Sequence, residues 1–166
     1  MPVPGSTTLV FLHILGAVIW AGGLFFVALL AAGARRTLPE RERTELFRFV
    51  GNGFLALGAV AAMLLGLSGN VLVEDLFGGW EKLSGEPSTL IVWKTLLFIG
   101  VLLLAVLHGA ILGPRIRQLR LKALDGELSP IEEGSLRRSR RVSTASQILM
   151  LAGTIAILVL AADLIS

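Results

Sequence analysis

The stretch Phe11–Leu30, FLHILGAVIWAGGLFFVALL, decides the fold. It contains no Asp, Glu, Lys or Arg, and it carries one histidine, His13. A helix of that length covers about 30 Å, the thickness of the hydrocarbon core of a bilayer. Inside lipid every backbone N–H and C=O must find its partner within the segment, so a run of this kind is a helix.

The same pattern recurs along the chain. No Asp, Glu, Lys or Arg occurs before Arg35, between Arg48 and Glu74, between Lys94 and Arg115, or between Arg141 and Asp163. The 166 residues are 54% hydrophobic and only 16% charged, with a mean hydropathy of +0.80. The fold class expected is all-α, an integral membrane four-helix bundle with its N- and C-termini on the outer side. Residues 1–166 form a single four-span domain, with spans at about 7–32, 46–73, 89–113 and 142–165. The first segment has no basic stretch before it and reads as a retained span rather than a cleaved signal. Pro2, Pro4 and Gly5 predict an irregular start, with Ser6, Thr7 or Thr8 as the cap.

Charge sets the expected orientation. All the Lys and Arg residues except Lys82 and Lys94 lie in the first and third loops, residues 33–45 and 114–141 with their flanks. The positive-inside rule puts those loops in the cytoplasm, for a multi-pass protein of the inner (plasma) membrane. The net charge of +3 therefore points to anionic lipid headgroups and not to nucleic acid. Pro114 predicts a kink, with the helix continuing as RIRQLRLKAL to a turn at LDGELSP.

Cysteine is absent, which removes disulfides, iron–sulfur clusters, covalently attached haem and thiolate copper sites. Methionine is limited to Met1, Met63 and Met150, a poor supply of soft ligands for Cu(I). The polar residues within the spans remain. His13, Gly16, Trp20 and Gly23 follow steps of three, four and three and share one helical face. Small residues on that face let another helix, or a flat ligand, come close. Ionisable groups within spans are costly and mark functional sites. On the third span Lys94, Phe98, Val101, Ala105 and His108 share a face, and Trp93 suits the aromatic belt.

The first and third spans run in the same direction. His13 is near the start of its span and His108 near the end of its own, so the two cannot ligate one iron in a monomer. Two clusters are level. The outer holds His13, Ser68, Asn70, Trp93, Lys94 and Asp163. The inner holds His108, Asn52, Ser143, Ser146 and Gln147, with Asn52 or Gln147 as the expected partner of a neutral His108. The outer cluster, with an imidazole, a cation and an indole at similar depth, is the candidate site. Met63 is either a second axial donor for His13 or a space-filling core residue.

LHILGAVIWAGGLFF, WKTLLFIGVLLL and GPRIRQL resemble the CopD-type copper-resistance membrane proteins and the related HemJ-like protoporphyrinogen oxidases. The resemblance runs from about Leu9 to Leu164. Trp20, Gly22 and Gly23 match the W-x-G-G-L pattern common to both groups. His13 and Lys94 match the functional pair of the HemJ-like proteins. The resemblance implies a haem or copper connection.

The leading expectation is b-type haem held through His13 as metal ligand. Trp20, Gly16, Gly23 and Lys94 would line the cofactor, and the protein would serve membrane redox chemistry or electron transfer. His108 is a second candidate metal ligand. The alternatives are copper transport or resistance with a partner, and a non-catalytic subunit of a larger complex. The partners expected are the lipid bilayer and either other membrane subunits or a second copy of the chain.

Overall fold

A computed structural model describes residues 4–163, with side chains described for 7–85 and 88–163. It is all-α, and four of its helical stretches are long and apolar enough to cross a membrane. The elements are α1 (Pro4–Thr37), α2 (Glu40–Phe77), α3 (Gly85–Leu107), α4 (Gly113–Leu124) and α5 (Pro130–Asp163). Large apolar side chains such as Phe11, Leu29, Leu57, Leu67 and Leu103 point outward. A solvated domain would bury them, whereas a lipid-facing bundle leaves them on its surface.

The helices extend well past the expected spans. The first loop, expected over 33–45, shrinks to Leu38 and Pro39. Proline disfavours helical geometry in the residue before it, and Pro39 is extended at φ −55 and ψ 156. That breaks the helix without needing a longer loop. The start of α1 also differs from expectation. Pro4 opens the helix instead of delaying it, because a first-turn proline lacks only an N–H that has no intrahelical acceptor. Thr7 and Thr8 are therefore already helical and are not caps, while Pro2 and the end of the expected fourth span at 164–165 lie outside the described residues.

α2 ends at Gly78, left-handed at φ 75, whose N–H donates to Glu74 O at 2.9 Å. A side chain at that φ is strained, so glycine suits the stop. A short 3-10 turn, Trp80–Lys82, leads on towards α3.

At the site of the kink expected at Pro114, the helix changes its hydrogen-bond pattern. α3 runs into a π turn, His108–Leu112, before α4 begins. The Gly113 N–H donates to the His108 carbonyl, one residue further back than in an α-helix. Pro114 supplies no N–H and crowds the carbonyl four residues earlier, and the wider turn accommodates that.

The expected turn after Leu124 is present, closing on Gly126 at φ 77. α5 starts with a reciprocal cap. Ser129 Oγ accepts the Glu132 N–H at 3.3 Å, and Glu132 Oε2 accepts the Ser129 N–H at 3.1 Å. α4 and the start of α5 pack through Ile116, Leu119 and Leu136.

Two helical hairpins result. α1 packs along α2, and α3 with α4 packs along α5, while α1 and α5 touch sparsely. The hairpins meet in one central cluster of Trp20, Leu24, Ala61, Val101 and Met150. The Trp20 ring contacts Phe54 of its own hairpin at a centroid distance of 6.4 Å and Phe98 of the other at 5.7 Å. Four traverses put the described ends of α1 and α5 at one end of the bundle. The arginine-rich segments lie at the other, the basic end.

Candidate functional site

The outer cluster is built on the α1–α2 seam. Ser68, buried on α2, donates its hydroxyl proton to the Leu64 carbonyl. A carbonyl can only accept and a serine has one proton. At the 3.0 Å contact between His13 Nδ1 and Ser68 Oγ, the imidazole is therefore the donor. The Nδ1–H tautomer leaves Nε2 as a bare lone pair, the state in which histidine binds metal or accepts a proton. The ring lies against Gly69, where a Cβ would sit 3.1 Å from Cε1 and 3.5 Å from Nδ1. Nδ1 and Cε1 thus face α2. Lys94, half-buried on α3, lies within electrostatic reach of the same ring.

The structure brings His13 and Ser68 into contact, with Lys94 in electrostatic reach of the ring, while Asn70, Trp93 and Met63 are engaged or exposed elsewhere. Asn70 accepts the Trp80 Nε1–H at 2.8 Å and so ties α2 to the following turn. Trp93 is exposed, as an interfacial anchor would be. Met63 is 63% exposed on the bundle surface, so it neither fills the core nor faces His13. Asp163 closes α5 at the same end of the bundle.

Gly16 and Gly23 serve the helix pair and not a flat ligand. A Cβ on Gly16 would meet Leu65 Cγ at 3.0 Å and the Ala61 carbonyl at 3.1 Å. On Gly23 it would meet Phe54 Cε2 at 2.7 Å. Both positions are filled by α2. Trp20, on the same face, is a core residue at 4% exposure, and its Nε1 has no hydrogen-bond partner.

The inner cluster repeats the logic of the outer one with a different partner from those expected. His108 Nδ1 meets Ser146 Oγ at 2.8 Å, while Asn52 and Gln147 stand on the wall of a cavity beside it. Ser146 donates to the Ser143 carbonyl at 2.9 Å, so His108 is again the Nδ1–H tautomer. Both histidines are thus held by a serine that bonds back to its own helix. They sit at opposite ends of the bundle, as their sequence positions predict.

The cavity was not legible beforehand. It occupies about 850 Å³ between Trp20 and the basic end, with Phe54, Leu102, Ala105 and Met150 among its apolar walls. Arg35, Arg43, Arg48, Arg117, Arg120 and Arg140 line the basic end, and among the described residues no acidic side chain does. Glu40 stands just behind, with Oε1 2.7 Å from Arg140 Nη2, 3.7 Å from Arg43 Nη2 and 3.9 Å from Arg120 Nε. The composition held one signal. In the two basic loops Lys122 is the only lysine, and arginine is the residue suited to gripping oxyanions.

Among the described residues, no three His, Cys, Asp or Glu side chains converge to hold a metal ion. Comparisons of the chain with protein-family models, with curated proteins and with solved structures find no match.

Proposed function

We propose that this four-span membrane protein is a haem-associated redox protein in which His13 supplies an axial nitrogen. One observation supports this above the rest: Ser68 commits Nδ1 to a hydrogen bond and leaves Nε2 unprotonated. His13 Nε2 would be the iron ligand, and Lys94 would offer a charge-assisted contact to a porphyrin carboxylate. Haem, when bound, brings a one-electron couple. Ser68 and Gly69 orient the imidazole, and Lys94 would balance the anionic edge. The positive-inside rule places the basic end in the cytoplasm and this site near the outer face. Copper carriage is the weaker reading, because the described residues offer no converging donor set.

The test is the colour of the purified protein. Protein from haem-replete cells, or titrated with haemin, should show a Soret band and, on reduction, α/β bands. His13→Ala should remove the bands, and His108→Ala should leave them. A colourless protein that takes up no haemin would overturn the reading, as would bands that survive His13→Ala. Stoichiometric copper binding by the colourless protein would favour the copper alternative. Recovery only with other subunits would favour a structural role in a complex.

A further inference from the structure

We propose that the cavity at the basic end is a binding site for one anionic phospholipid, with its phosphate among the arginines and its acyl body running towards Trp20. The observations that carry this are separate from the His13 site.

Size comes first. A cavity of about 850 Å³ lies in the range that takes an organic ligand and exceeds what packing defects leave. Length comes second. Trp20 and Arg35 both line it and lie fifteen residues apart on one helix, a rise of roughly 22 Å. Half a bilayer, headgroups included, measures about 20–22 Å. The cavity is one leaflet deep.

Charge comes third. The walls grade from Phe54, Leu102 and Met150 to arginines at a single end. Among the described residues Glu40 pairs with Arg43, Arg120 and Arg140, and Glu45 pairs with Arg48 at 2.9 Å, so two carboxylates face six arginines and cannot neutralise them all. An amphiphile with an anionic head matches this gradient, because guanidinium forks bind phosphate oxygens in pairs. Basic pockets between membrane helices bind anionic headgroups in this way.

One orphan donor at the basic end completes the argument. Arg120 Nε is buried without a hydrogen-bond partner, since Glu40 Oε1 at 3.9 Å is too far to accept. Buried donors without acceptors are rare and call for a partner. The phosphate of a glycerophospholipid carries oxygen acceptors for this donor.

The experiment is native mass spectrometry of the full chain in detergent, titrated with phosphatidylglycerol and with phosphatidylcholine of the same chains. One phosphatidylglycerol should be retained per chain, and phosphatidylcholine should be lost at the same activation energy. Arg35 and Arg117 are exposed, so the Arg35→Gln/Arg117→Gln variant should fold normally. It should bind phosphatidylglycerol about thirtyfold more weakly. In a Trp80→Phe/Trp93→Phe background, phosphatidylglycerol brominated on its chains should quench the remaining Trp20 emission. Equal retention of both lipids, unchanged binding in the arginine variant, or no quenching would each overturn the proposal. So would glycerol phosphate or inorganic phosphate binding as tightly as the lipid, which would make this a site for free phosphate. Haemin binding where phosphatidylglycerol does not would assign the arginines to a tetrapyrrole.

Discussion

His13 Nδ1 and Ser68 Oγ, fifty-five residues apart in the chain, meet at 3.0 Å across the seam of the first hairpin. The serine's own proton is spent on Leu64, so the imidazole donates. Ser68→Ala removes this acceptor and leaves the half-buried imidazole with the Leu65 carbonyl as its partner on α2. The expected loss is about 0.6–2 kcal/mol, the range of polar contacts between membrane helices. Thermal unfolding in detergent measures it. Under the haem reading the same variant should also shift the Soret maximum, because the hydrogen bond on the distant nitrogen tunes ligand basicity. An unchanged melting curve would mean that the pair does not form.

The two adjacent glycines of the first span make a matched test of close packing. A Cβ on Gly23 would sit 2.7 Å from Phe54 Cε2, while one on Gly22 meets nothing within 4 Å. Gly23→Ala should destabilise by about 1–3 kcal/mol, the usual cost of overpacking. Gly22→Ala should be neutral or slightly stabilising, from helix propensity. Equal effects of the two substitutions in the same unfolding assay would contradict the α1–α2 packing described above.

At the basic end, one Glu40 oxygen lies 2.7 Å from Arg140 and within 4 Å of Arg43 and Arg120. Glu40→Gln leaves these cations facing one another. The groups are partly exposed, so solvent screening holds the cost to about 1 kcal/mol. The loss should shrink in high salt, which screens repulsion between the arginines. A loss independent of salt would point to a packing role for Glu40.

The turn joining α4 to α5 should respond to acid. The Lys122 ammonium, together with the Ser129 N–H and hydroxyl, holds the Glu132 carboxyl down at about 2. A carboxyl depressed on folding adds stability above its unfolded pKa, and that stability is lost as pH falls towards the folded value. Hydrogen-exchange protection of Pro130–Leu136 should therefore be flat near neutrality and fall between about pH 4.5 and 2. Glu132→Gln should abolish that acid-side slope. A wild-type profile with no slope in this window would show that the cap does not form in solution.

The spans were legible because lipid excludes charge over about 20 residues, and four gaps in the charge pattern mark them. Their true ends were not legible. Nothing in ARRTLPERERTELF forbids a helix except Pro39, so two long helices meet at one proline where charge alone suggests a loop. Depth was readable by counting residues, which placed Ser68 level with His13 and Ser146 level with His108. Direction around a helix was harder to read. Asn70 turns to Trp80, and Met63 turns to the lipid side. The cavity was beyond reach, because it exists only where one hairpin fails to close against the other.

That pairing has a consequence for how the chain is assembled. Within each half, partner helices are joined by short links, two residues at Leu38–Pro39 and five at Asp125–Ser129. Each half can therefore enter the bilayer as a self-contained unit, with almost no slack to reel in. The segment Gly78–Ser84 is where the chain could be severed and the pieces supplied separately, and their reunion would rest on the indole of Trp20 finding Phe98.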